Sequence, residues 1–184
     1  MQNTEIKDVG TFEIKSGKVI VSDPCYDRET WCQGKLDNVL NGTWKAILYI
    51  YDEGEWGKRV GHILVHHVDH PISLDHDEWE QQDFDVGVDS GQAGIYDDAD
   101  FRGCNVDEWY DLNCGLTYNP KDINQHGGVL KGGAVSSSGY GDGGYDCSVV
   151  KNFSIPPCGK IIAIEINFGL DNVSESDMDF YKED

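Results

Sequence analysis

The strongest constraint on the fold of this chain is a succession of short segments in which apolar and polar side chains alternate, each ended by glycine, proline or an aspartate-rich turn. A period of two puts alternate side chains on opposite faces, so such segments build half-buried sheet rather than helix. Residues 43–52 and 60–68 are the longest, and the turn Glu53-Gly54-Glu55-Trp56-Gly57 between them predicts an antiparallel pair. Residues 11–15 and 18–22 alternate around Ser16-Gly17 and read as a hairpin. Asp23-Pro24 stops it, because proline withdraws a ladder donor and holds its predecessor extended. Residues 84–89 set Phe84, Val86 and Val88 on one face, and 128–136, 145–150 and 160–168 read as further strands.

Two stretches read as helix. One is residues 28–40. The other is 106–116, with Asn105 as its N-cap and Asp107 and Glu108 beside the positive end of the dipole. About eight strands and one or two short helices predict an α+β, β-rich domain over residues 1–170, mostly antiparallel sheet or sandwich. Residues 171–184 carry acids and few core formers, and read as an acidic C-terminal tail.

Charge narrows the function classes. Against 14 Lys+Arg stand 34 Asp+Glu, a formal charge of -20. Disordered acidic chains are poor in aromatics, whereas this one is 11% aromatic, so the imbalance belongs to a folded body. Such a surface repels phosphates and anionic lipids, which argues against general nucleic-acid or membrane binding. No apolar run approaches the ~20 residues of a membrane span. The opening residues are not a signal peptide, and the six cysteines lack the two-residue spacing of a zinc or redox motif. The expectation is a cytoplasmic protein with free thiols, in the host cytoplasm if phage-encoded.

Three loops concentrate the chemistry: Val21-Ser22-Asp23-Pro24-Cys25-Tyr26, then residues 88–97, then Ser138-Gly139-Tyr140-Gly141-Asp142-Gly143-Gly144-Tyr145-Asp146. Each sets carboxylates, tyrosine and permissive glycine at a strand end. On the third of them, and on residues 88–168 more broadly, the chain resembles an uncharacterised domain-of-unknown-function family of bacterial and phage proteins. The Asp-Pro-Cys-Tyr segment is similar to short phage-encoded proteins. The resemblance implies a bacterial or phage origin and one fold over that span, and it brings no activity.

In the third loop, glycines permit backbone NH groups to converge on an anion, and Tyr140 and Tyr145 are suited to stacking. The candidate ligand or partner contacts are Asp23, Tyr26, Asp89, Gln92, Tyr96, Tyr140, Asp142, Tyr145 and Asp146. No cofactor motif is present. A divalent cation is conceivable on Asp23, Asp89, Asp97 and Asp142, assisted by His66 or His70, because hard cations take oxygen ligands. The histidines at 62–76 read more simply as an exposed strand end. Gly-x-Ser-x-Gly, Walker and dinucleotide motifs are absent.

These residues predict an acidic, non-catalytic binding protein for a basic protein surface or a small ligand, with inhibition of a host factor through its basic groove as one form. The alternatives are a metal-dependent hydrolase or phosphodiesterase built on the aspartates, and a small-nucleotide sequestering protein.

Overall fold

A computed structural model describes residues 3–170; the expected tail at 171–184 lies outside the described residues. In chain order the elements are β1 (Thr4–Ile14), β2 (Val19–Ser22), β3 (Gly34–Leu36), β4 (Gly42–Asp52), β5 (Lys58–His67), β6 (Glu80–Val88), β7 (Gln92–Asp97), α1 (Val106–Thr117), β8 (Gly127–Leu130), β9 (Gly133–Ser137), β10 (Gly143–Asn152) and β11 (Lys160–Asn167), with a 3-10 turn at Gly54–Trp56. The strands form two antiparallel sheets, ordered β1-β4-β5-β11-β10-β6 and β3-β2-β7-β9-β8.

Alternation drives the layering as the sequence predicts. Trp44, Ala46, Leu48 and Ile50 of β4, with Ile63 and Val65 of β5 and Ile164 and Ile166 of β11, meet Val21, Ile95 and Ala134 of the small sheet in the main core. Burying side chains of this size stabilises the fold by roughly 1.5–3 kcal/mol each before entropy is counted. The opposite face of the small sheet receives α1. Ile20, Tyr96, Phe101, Trp109 and Val135 pack there, with the Tyr96 and Trp109 rings 5.2 Å apart. Asn105 caps the helix, its side chain accepting from the Glu108 amide.

Three expectations change. The segment 28–40 is not helical: Glu29 and Asn38 take positive φ, and the chain lays β3 against β2 between them. Residues 11–15 and 18–22 are not a hairpin, since β1 pairs with β4 while β2 pairs with β3 and β7, so the Ser16-Gly17 turn crosses between the sheets. The histidines are not an exposed strand end. β5 lies between β4 and β11; Leu74 and Trp79 of the following loop pack on its outer face around Leu64, where His62 and His66 are buried, while His67 is buried on the inner face against Trp44. His62 Nδ1 is 3.0 Å from Glu165 Oε2, and the His66 Nδ1 is 2.8 Å from the His67 carbonyl.

Candidate functional site

Strand registers bring the three loops to one end of the sandwich. β2 ends there at Ser22, β6 turns into β7 through residues 89–91, and β9 passes to β10 through 138–142. Asp23 is fully buried and joins the first loop to the second. Its Oδ1 accepts the Cys25 amide at 2.8 Å and the Ser90 hydroxyl at 2.7 Å, while Oδ2 accepts the Asp89 and Ser90 amides, both at 2.8 Å. Backbone donors of this kind can hold a carboxylate that has no cationic partner.

Gly91 joins the second loop to the third. Its amide donates to Asp142 Oδ1 at 3.1 Å and its carbonyl accepts the Ser138 amide at 3.0 Å. Gly139, at φ 58, lies against Phe168, where an added Cβ would come within 3.2 Å, so only glycine fits easily. The third loop then reaches the turn between β4 and β5. The Tyr140 hydroxyl donates to Glu53 Oε2 at 3.2 Å, the Arg59 guanidinium stands 4.9 Å over the Tyr140 ring, and Arg59 Nε donates to the Trp56 carbonyl at 3.0 Å. A continuous belt therefore runs from Cys25 through Ser90, Gly91 and Tyr140 to Trp56.

Its outer surface is acidic and aromatic. Asp27, Asp52, Glu55, Asp89 and Asp142 are exposed, as are Trp56 at 56% and Tyr140 at 49%, and Tyr26 is half-buried. Burial and the neighbouring Cys32 thiol push the Tyr26 hydroxyl above its ordinary range; burial and the Glu53 carboxylate do the same at Tyr140. Both remain neutral hydroxyls near pH 7.

Most of the other expected contacts face inward. Tyr145 is not a stacking platform: its hydroxyl donates to the Gly141 carbonyl at 2.6 Å and its ring meets Phe168 at 5.1 Å, fastening the loop from beneath. Tyr96 is fully buried and donates to Asn113 Oδ1 at 2.7 Å, because the alternation of β7 directs it under α1. Gln92 is also buried, accepting from the Thr117 hydroxyl at 2.8 Å. Asp146 lies on the outer face of β10, directly across from Asp85 of β6. In the third loop, where an anion nest was expected, the Gly141 amide is taken by the Ser138 carbonyl.

The expected cation ligands divide between regions. Asp23, Asp89 and Asp142 share the belt, whereas Asp97 is at the far end of β7, about 17 Å away for a strand of this length. There it binds the Lys15 amide at 2.6 Å and the hydroxyl of Ser16. His66 is buried on the outer face of β5, and the His70 ring lies tilted against His67, 5.7 Å away. Among the described residues no group of three or more His, Cys, Asp or Glu side chains is arranged to hold a metal ion.

The Ser90 hydroxyl points at a carboxylate that already accepts three amides. Burial pushes the Cys25 thiol up, which disfavours the nucleophilic thiolate. Two hollows of about 310 Å³ lie outside the belt, one at the Asp97 end of the small sheet, lined by Thr11, Glu13, Lys15 and Lys131, the other after α1, lined by Tyr118, Pro120 and Ile123. The turn carrying Trp56 and Arg59 was not among the sequence candidates. Its signal was a tryptophan set between glycines in a polar turn, close to one of only three arginines.

No known protein family, curated protein or solved structure matches this chain.

Proposed function

We propose that this chain is an acidic, non-catalytic binding protein of bacterial or phage origin, whose loop face receives a basic protein surface, as an inhibitor covering the basic groove of a host factor would. The observation that carries the reading is the Glu53–Tyr140–Arg59 junction, which fuses the loops into one outward face instead of walling a cavity. Exposed Trp and Tyr beside a rim of carboxylates have the composition of an interface anchor surrounded by steering charge. With the whole chain at -20, approach of a cationic partner is favoured at long range.

Titration of the full chain against a panel of basic nucleases, at rising salt, tests the proposal. Binding should weaken as salt rises. Trp56→Ala and Tyr140→Ala should each weaken it about tenfold, or about 1.4 kcal/mol, as anchor truncations do. Binding that ignores both salt and these substitutions would overturn it.

A further inference from the structure

Two thiols meet behind the Asp23 loop. The Cys25 amide and the Ser90 hydroxyl share Asp23 Oδ1, which sets the Cys25 thiol beside Ser90. Ser90 Oγ is 3.4 Å from Gln92 Nε2, and that nitrogen is 3.6 Å from Cys114 Sγ on the last turn of α1. Cys25 and Cys114 therefore flank the same pair of side chains. Both also lie within electrostatic reach of the Tyr96 hydroxyl. A separate contact fixes the backbone beside them: Trp109 Nε1 of α1 donates to the Pro24 carbonyl at 2.7 Å, so the residue before Cys25 is docked on the helix that carries Cys114. Neither thiol is sealed off, since Cys114 is exposed and Cys25 partly so.

We infer that Cys25 and Cys114 are an acceptor pair for thiol–disulfide exchange, closing an intramolecular disulfide when the protein meets a small disulfide oxidant such as glutathione disulfide. The exposed Cys114 reacts first. Its thiolate attacks one sulfur of the oxidant, forms a mixed disulfide and releases one glutathione thiol. Cys25 then gives up its proton and displaces the second glutathione thiol, leaving the Cys25–Cys114 bond. The protein loses two hydrogens and two electrons, and the oxidant is reduced to two thiols. Burial raises the Cys25 thiol, in keeping with its acting second, on a sulfur already activated by the mixed disulfide. Ser90 and Gln92 release their sulfur contacts so that the two side chains close to bonding distance. The bond would tie residues 23–26 to α1 directly behind the belt.

Incubation of the full chain with glutathione disulfide, followed by non-reducing peptide mapping, reads the outcome. The expected product is a monomer in which the Cys25 and Cys114 peptides are joined, that pair lighter by two hydrogens and free of glutathione. Cys25→Ser should stop at a glutathione adduct on Cys114. Cys158, exposed in the loop before β11, should stop at its adduct in the unsubstituted protein and serves as the internal control. A stable adduct on Cys114 of the unsubstituted chain, a bridge between any other pair, or a disulfide-linked dimer would overturn the inference.

Discussion

Asp23 and Asp97 are alike in chemistry and opposite in position. Both are fully buried, both use the whole carboxylate to gather main-chain amides and one serine hydroxyl, and they occupy the two ends of the small sheet. Asp97 gathers the Lys15 and Ser16 amides, and therefore fixes the crossing from β1 in one sheet to β2 in the other. Asp23 gathers residues 89 and 90, which form a surface loop. A buried aspartate can thus serve the fold at one end and a face at the other. What distinguishes them is the separation in structure of the segments they join.

The comparison can be broken most directly at Asp97. Asp97→Asn puts an amide where a carboxylate receives backbone donors, and leaves buried NH groups short of acceptors. Global stability by urea unfolding should fall by about 3 kcal/mol or more. Asp23→Asn should cost less, about 2 kcal/mol, and act locally. Hydrogen exchange should quicken at residues 24–26 and 88–92 while β4, β5 and β11 keep their protection. Equal, global losses at both positions would erase the distinction.

Alkaline pH separates the core from both clasps. Burial holds the Tyr96 hydroxyl well above 10.0 and the Cys147 thiol above 9.0. In the unfolded chain these groups ionise near those ordinary values, so above them the unfolded state binds fewer protons than the folded one. Stability is fully present below pH 9 and declines as pH rises through 9 to 10 and beyond. Urea midpoints from pH 8 to 11 should show that decline, and Tyr96→Phe should make it shallower above pH 10.

Smaller effects sharpen the contrast. Ser90→Ala removes one bond to the Asp23 carboxylate and should cost about 1 kcal/mol. Asp146 clasps nothing and opposes Asp85 across the ladder. Asp146→Asn should therefore stabilise the protein by about 0.2–1 kcal/mol at low salt, and by less as salt rises.

Much of the framework was legible because local pattern and global burial agree there. β4, β5 and α1 combine a clean period with a matching turn or cap. The failures share one cause, a distant partner. The 11–22 segment has every local mark of a hairpin, yet Asp97 and β7 claim its two halves for different layers. His62 and His66 of β5 look wet until the loop at 72–79 folds over their face of the sheet. In the belt, composition located the three loops, but it could not tell Tyr140 from Tyr145, since which one turns outward depends on Phe168 and the Arg59 turn. Gly34 shows the same limit. A Cβ there would overlap the Phe84 ring, and Phe84 belongs to a different sheet.

The place of β11 governs how the chain must assemble. It lies between β5 and β10, with Ile164 registered against Val65 and Val149. The large sheet is therefore two partial sheets until residues 160–167 are inserted, however well β1, β4 and β5 have already joined. Closing so long a loop places this protein among slow, high-contact-order folders. During synthesis, the open edges of β5 and β10 have to wait for a strand that emerges after both, and the period before it arrives is when the chain is most exposed to mispairing.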